Sequence, residues 1–131
     1  MKNERIAIEK ILQRIHYAVE CGHYSVALNE NRKKNLNFIA EYGIRSSRIV
    51  DILLELRLED FAYQTRNTKI GYEEEILYIF APNVKLYPAG DDAARDVVVY
   101  IKINIIEKSV DDYVIVISFH EAEHEIEYAY K

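Results

Sequence analysis

Three side chains in the second half of the chain are of the types that cleave phosphodiesters. Tyr100 and Lys102 lie two positions apart in the run Val97–Ile106, and His120 directly follows the run Tyr113–Phe119. An imidazole moves protons near neutral pH, an ammonium stabilises the extra charge on a pentavalent phosphorus, and a phenol orients a phosphate oxygen. This set favours phosphodiester chemistry without a metal. Solvent-facing strand positions also carry these residue types without any function.

The two runs predict a β-hairpin that would position these side chains. Both runs are rich in β-branched and aromatic residues, and the polar residues 107–112 between them predict a turn. Alternation assigns the odd-numbered positions of both strands, including Ile115 and Ile117, to a core. The even-numbered positions, including Val114 and Val116, are then expected on the opposite face.

The register of the hairpin follows from the same pattern. A turn centred near residue 110 places Tyr100 across from His120 and Lys102 across from Ser118. A slip by one residue would bury Lys102 in the core, so matching of the core faces opposes it. The phenol, the ammonium and the imidazole are therefore expected on one face of the sheet.

The rest of the chain predicts helices first and strands afterwards. Apolar residues at helical spacing predict three helices, of which the first ends near Gly22, the second ends at Gly43 and the third is capped by Ser46 or Ser47. Residues 24–28 carry only a weak extended signal. Glu75–Phe80 predicts a strand and Val84–Asp96 a loop. The order favours an α+β fold, with the helices on one face of an antiparallel sheet and the hairpin 97–121 at its centre.

Length and charge set the broad class. The chain has 131 residues, half of them apolar, which predicts a single domain over 1–131. Its charged N-terminus and short apolar runs predict a cytoplasmic protein with no membrane segment. Net charge is −5, with +1 in residues 1–60 and −6 in residues 61–131. This charge balance does not favour binding to nucleic acid through overall positive charge, although a local basic patch is compatible with it.

Two further groups of residues suggest chemistry. His120-Glu121-Ala122-Glu123-His124 matches the H-E-x-x-H pattern of zinc peptidases, but that pattern needs a helix, and here it continues a strand. Arg32, Lys33 and Lys34, with Arg45 and Arg48, are the main basic concentration and suit either an RNA backbone or a solvated helix face. The acidic residues 121–127 argue against nucleic acid at that end, and Tyr128 and Tyr130 are expected to pack against the body.

The hairpin and the segments before it resemble the MqsR family of bacterial toxins. The resemblance rests on Val99–Ile103 (VYIKI), Val116–Glu123 (VISFHEAE), Lys34–Gly43 (KNLNFIAEYG) and Leu53–Phe61 (LLELRLEDF). It covers residues 23–131 and leaves the N-terminal helix, residues 1–22, outside. It implies a RelE-like α+β fold and a messenger RNA endonuclease that acts without a metal or other cofactor, on or off the ribosome.

The resemblance also implies a partner and a set of site residues. Members of the family are toxins of type II toxin–antitoxin operons, neutralised by a cognate antitoxin with a zinc-binding and a DNA-binding domain. Tyr100 takes the position of the family's active-site Tyr, and His120 that of a catalytic Lys. Tyr63 falls near a second active-site Lys, and Tyr78 near a Gln of the family.

These observations lead to an expected mechanism. A ribose 2′-OH attacks the adjacent phosphate and leaves a 2′,3′-cyclic product, with His120 as base or acid, Tyr100 orienting and Lys102 and Arg48 supplying positive charge. Tyr63 completes the catalytic set, and Arg45, Lys33 and Lys34 contact the RNA. The alternatives are a non-catalytic interaction module of the same fold from a mobile element, or an interaction or immunity protein without RNA contact.

Overall fold

Three α-helices and a six-stranded sheet form the computed structural model, which describes residues 2–29 and 32–131. The helices are α1 (Lys2–Glu20), α2 (Lys33–Glu41) and α3 (Ser46–Leu54). The strands are β1 (Tyr24–Val26), β2 (Phe61–Arg66), β3 (Ile76–Phe80), β4 (Asn83–Leu86), β5 (Arg95–Glu107) and β6 (Asp112–Glu121). The predicted α+β class is confirmed. Within the described ranges, no helix combines the length and apolar character needed to cross a membrane.

The strand order of the sheet is β1-β6-β5-β3-β2, and β4 also pairs with β5. The predicted hairpin is present as β5 and β6, and β5 lies at the centre of the sheet. The sheet is mixed rather than antiparallel, because β1 runs parallel to β6. The expectation of a purely antiparallel sheet was therefore wrong at this edge. Parallel pairing requires a long connection, and most of the chain lies between these two strands.

One face of the sheet, called the helix face here, packs against the three helices. Ile8, Ile15, Phe38 and Leu53 of the helices are buried in one cluster with residues of the sheet. In β5 the odd-numbered side chains enter this cluster, as predicted, and these include Val97, Val99, Ile101 and Ile103. The even-numbered residues of β5 consequently point to the opposite face.

A β-bulge interrupts the alternation in β6. Lys102 pairs with Ser118, but the next residue of β5, Ile103, pairs with Val116, which leaves Ile117 without a partner on β5. Val114 and Val116 are consequently buried in the helix-face cluster. Their predicted exposure, and the predicted burial of Ile115 and Ile117, were wrong. One extra residue in a strand reverses which face each following side chain takes.

Two local expectations were also wrong. Residues 84–96 were expected to form a loop, but β4 pairs with the start of β5 and buries Val84 and Leu86. This strand is short and lies between two prolines, so its sequence signal is weak. Helix α3 begins at Ser46 without a side-chain cap, because Arg45 occupies the capping position.

Candidate functional site

A cavity of about 860 Å³ lies on the sheet face opposite the helices. Its floor is formed by Tyr63 of β2, Tyr100 and Lys102 of β5, and Ser118 and His120 of β6. One wall is the beginning of α2. The other wall is residues 122–131, called the C-terminal tail here. The four residues predicted to be catalytic, Tyr63, Tyr100, Lys102 and His120, therefore line a single cavity.

The predicted pairing of Tyr100 with His120 is confirmed. The two residues are opposite each other in the β5–β6 ladder. The pairing of Lys102 with Ser118, two residues further along each strand, is confirmed as well. The phenol and imidazole rings stack, with centroids 5.4 Å apart and planes inclined by 20°. Cross-strand stacking of this kind restricts the rotation of both rings. The imidazole is thus held at a fixed position on the cavity floor.

Tyr63 reaches the same point from β2, which is separated from β5 by β3. Its hydroxyl lies 3.1 Å from the hydroxyl of Tyr100, which joins β2 to β5 above the intervening β3. Burial, and to a smaller extent the contact with Tyr63, raises the pKa of the Tyr100 phenol well above its ordinary value of 10.0. Tyr100 therefore remains protonated at neutral pH and is a hydrogen-bond donor rather than a base.

Positive charge gathers around Lys102. Partial burial, followed by repulsion from Arg32, lowers the pKa of Lys102 below its ordinary value of 10.5. Arg32, Lys33 and Lys34 all line the cavity where α2 begins. An anion that enters this space offsets both the desolvation of Lys102 and its repulsion by Arg32. The electrostatics of this side of the cavity therefore suit a phosphate.

The hydrogen bond of His120 determines which of its nitrogens is available. Nδ1 lies 2.9 Å from the backbone carbonyl oxygen of Glu121. A carbonyl oxygen only accepts, so Nδ1 must carry the hydrogen of this bond. In the neutral imidazole, the lone pair is then on Nε2. His120 consequently has the tautomer that a general base with an accepting Nε2 requires.

Asn35 fixes α2 against the edge of β6. Its Nδ2 donates to the carbonyl oxygens of Ala27 at 2.8 Å and Ile117 at 3.0 Å, and its Oδ1 accepts from the backbone N–H of Phe119 at 2.8 Å. Asn35 is only 1% exposed. The amide thus satisfies two backbone groups beside the bulge, and it brings the basic start of α2 to the cavity.

The C-terminal tail is attached to the sheet at both of its ends. The N–H of Ala122 donates to Val98 at 2.8 Å, the hydroxyl of Tyr128 donates to the carbonyl of Ala81 at 2.6 Å, and Tyr130 stacks on Phe61 with a centroid distance of 6.1 Å. The expected packing of Tyr128 and Tyr130 is confirmed. Between these attachments, residues 123–127 line the cavity.

The segment His120–His124 does not form the helix of a zinc peptidase. His120 and Glu121 end β6, and the chain bends at Glu123 and His124. Among residues 2–29 and 32–131, no three His, Cys, Asp or Glu side chains are grouped so that they could hold a metal ion. Glu123 instead contacts Lys34 at 2.6 Å, and this contact lowers the pKa of Glu123.

Arg45 and Arg48, two of the predicted RNA-binding residues, lie outside the cavity. Arg48 lines a second cavity of about 570 Å³ and lies 3.9 Å from Glu55. Arg45 is exposed at the start of α3. The structure therefore does not bring Arg48 to Lys102, with which it was expected to supply positive charge. Helix α3 packs mainly with α1 on the helix face, so its basic residues do not reach the opposite face.

Tyr78, which falls near a family Gln, also lies away from the cavity. It packs partly buried against the helix-face cluster, next to the cavity-lining strands but pointing to the other side of the sheet. Lys33 and Lys34 do line the cavity, as their predicted role requires. Of the four predicted RNA-binding residues, the structure therefore brings Lys33 and Lys34 to the cavity and leaves Arg45 and Arg48 away from it.

Several lining residues were not predicted for this site. The tail contributes Glu123, His124, Glu125 and Glu127 to the wall of the cavity. From its composition alone, this acidic segment is expected to be solvated. Tyr128 and Tyr130, which follow it, are the sequence feature that indicates that it folds back onto the sheet. Comparison of the chain with protein-family models, curated proteins and solved structures finds no match.

Proposed function

We propose that this protein is an endoribonuclease that cleaves RNA by attack of a ribose 2′-OH on the adjacent phosphate. The observation that supports the proposal best is the convergence of three groups in one cavity. These are an imidazole whose Nε2 carries the free lone pair, a partly buried ammonium and a protonated phenol, contributed by His120, Lys102 and Tyr100.

The first proton transfer is assigned to His120. Its Nε2 takes the proton of the 2′-OH as the bond from O2′ to phosphorus forms. The hydrogen bond from Nδ1 to the Glu121 carbonyl stabilises the imidazolium produced, because that N–H becomes more acidic and its bond stronger. The bond from phosphorus to O5′ then breaks, and the departing O5′ takes a proton from a donor other than His120, which leaves a 2′,3′-cyclic phosphate and a 5′-OH.

Charge and orientation are assigned to the other floor residues. The ammonium of Lys102 stabilises the negative charge that builds on the phosphorane oxygens, and a donor of this kind contributes about 100-fold or more to the rate. The hydroxyl of Tyr100, positioned by Tyr63, donates to a phosphate oxygen. Lys33 and Lys34, on the wall formed by the beginning of α2, contact the RNA backbone.

The resemblance to the MqsR family gives this activity a biological setting. We propose a RelE-like toxin of a bacterial type II toxin–antitoxin system whose substrate is messenger RNA. The cognate antitoxin would carry a zinc-binding and a DNA-binding domain. Strand β2 is an edge of the sheet, and residues 63–66 of it are exposed. An edge strand pairs with an added strand through main-chain hydrogen bonds, so β2 is the proposed antitoxin contact.

The direct test incubates purified protein with single-stranded RNA of mixed sequence and analyses the product ends. The parent protein is expected to give 2′,3′-cyclic phosphate ends, and His120→Gln is expected to lower the rate about 100-fold. His23→Gln is the matched control, because His23 is partly exposed and lies outside the cavity. Both variants should melt at the parent temperature.

Toxicity and partner contact are tested separately. Expression of the parent should arrest bacterial growth, and expression of His120→Gln should not. Hydrogen exchange in the presence of the antitoxin should slow at the amides of β2, and protection confined to α1 would contradict the proposed contact. A folded parent protein that leaves every RNA intact would overturn the enzyme and favour the non-catalytic interaction module.

A further inference from the structure

The proposed reaction requires a second proton transfer that His120 does not provide at the same time. As the bond from phosphorus to O5′ breaks, the departing oxygen must receive a proton, because a ribose alkoxide is a poor leaving group. His120 is occupied by the proton of the 2′-OH in that step. A separate acid therefore has to reach the opposite side of the phosphorus.

The floor residues suit this second role poorly. The pKa of Tyr100 is raised, so its phenol is a weaker acid than usual, and its hydroxyl is engaged with that of Tyr63. Lys102 is the cation of the floor, and loss of its proton would remove the charge that the phosphorane needs at the same moment. The general acid is therefore expected on a wall of the cavity.

His124 is the second histidine that lines the cavity. In an uninterrupted strand, residues 120 and 124 would lie about 13 Å apart along the strand axis. Here β6 ends at Glu121, the N–H of Ala122 bonds to Val98 at the start of β5, and the chain bends at 123 and 124. The bend places His124 on the wall formed by the C-terminal tail, while His120 remains on the floor.

One carboxylate lies within electrostatic range of both imidazoles. The pKa of Glu123 is lowered first by its contact with Lys34 at 2.6 Å, and to a smaller extent by the charges of His120 and His124. The other charged groups around the cavity are the cations of residues 32–34 and Lys102, and the carboxylates of Glu125 and Glu127. The imidazole of His124 is thus on the acidic wall, across from the cationic start of α2.

We propose that His124 is the general acid of the reaction, paired with His120 as the general base. This inference rests on the proposed endoribonuclease function. The imidazolium of His124 gives its proton to O5′ as the bond between phosphorus and O5′ breaks, and His120 holds the proton taken from the 2′-OH. Water exchanges both protons afterwards, so the two imidazoles return to their starting states.

The test compares two RNA substrates that differ in the leaving atom. One is an ordinary oligoribonucleotide, and the other carries sulfur in place of O5′ at the linkage that the parent protein cleaves. A thiolate leaves without protonation. His124→Gln is expected to lose about 100-fold on the ordinary RNA and to come within a few-fold of the parent on the sulfur-substituted RNA. His120→Gln is expected to lose activity on both, because the base is still needed.

The dependence of rate on pH gives a second readout. The parent should show a bell-shaped profile, and His124→Gln should lose the fall in rate at high pH that reports deprotonation of the acid. A His124→Gln variant that cleaves ordinary RNA within about threefold of the parent, or that loses equally on both substrates, overturns the inference and leaves the endoribonuclease standing. A parent protein that cleaves no RNA overturns both proposals. His23→Gln is again the control.

Discussion

The side-chain amide of Asn35 forms a hydrogen-bonded ring with the backbone of β6. Its Oδ1 accepts from the N–H of Phe119, the residue just before His120, at 2.8 Å. The same side chain donates to Ile117 on the other side of the buried Ser118. Two backbone groups that would otherwise lie unpaired at the edge of β6 are satisfied by one helix residue. The position of this part of β6 therefore depends on α2.

Replacement of Asn35 by alanine should destabilise the protein. The change leaves the part-buried carbonyls of Ala27 and Ile117 and the buried N–H of Phe119 without this partner, and an unsatisfied buried group costs about 1–3 kcal/mol. We expect a loss of about 3 kcal/mol in the free energy of unfolding, measured by urea denaturation. Asn37→Ala is the control, because Asn37 is exposed on the same helix. Equal stability of the two variants would contradict this account.

Lys102 and Arg48 provide a paired test of where the positive charge of the reaction lies. Lys102→Met should lower RNA cleavage about 100-fold, because the cavity then has no ammonium on its floor. Arg48→Gln should cleave as the parent does, because Arg48 lines a different cavity and lies near Glu55. Single-turnover rates on the same RNA measure both. A larger loss in Arg48→Gln than in Lys102→Met would show that the charge was assigned to the wrong cavity.

Tyr63 is expected to act through Tyr100 rather than on the RNA directly. Tyr63→Phe removes the 3.1 Å contact between the two hydroxyls and should lower cleavage by about tenfold at most, since one hydrogen bond contributes about 0.5–1.5 kcal/mol. Tyr72→Phe is the control, because Tyr72 is 48% exposed, close to the 47% of Tyr63. In the background of Tyr100→Phe, the loss on changing Tyr63 should disappear. Additive losses would indicate that Tyr63 contacts the substrate.

Asp60 should make stability depend on pH. Burial raises the pKa of this carboxyl above its ordinary value of 3.8, although the N–H of Arg57 donates to it and partly offsets the effect. A group whose pKa is raised on folding binds its proton more tightly in the folded state, so its contribution to stability falls as the pH rises from about 3.8 through the raised pKa.

Asp60→Asn removes this dependence and keeps an oxygen that accepts from Arg57. The variant should gain stability relative to the parent as the pH rises from 4 to 7, with the smallest difference at the acidic end. Urea denaturation at constant ionic strength measures the difference. A gap that widens toward acid would mean that the carboxylate is stabilised by folding, contrary to the burial argument.

Strong alternation made the centre of the site predictable. The β-branched run of β5 defines its two faces without reference to the rest of the chain. The cationic start of α2 was also predictable, because Lys33 and Lys34 are neighbours in sequence and are the first two residues of the helix. These features depend on short stretches of chain.

The parts that were not predicted depend on contacts between distant residues. The bulge at Ile117 is held by Asn35, which lies 82 positions away. The wall of the cavity exists because Tyr128 and Tyr130 attach the C-terminal tail to β2 and to the residue after β3. The placement of Arg48 depends on how α3 packs against α1. No local pattern contains this information.

The bulge divides β6 into two stretches with opposite mutational periodicity. Before Ile117, even-numbered positions such as Val114 and Val116 are buried against the helices. After it, the odd-numbered Phe119 takes that place, and the even-numbered His120 faces the cavity. In a saturation mutagenesis scan for folding, the sensitive positions should therefore change from even to odd within one strand. His120 should be silent in that scan and sensitive in a scan for growth arrest, which separates the requirements of the fold from those of the chemistry.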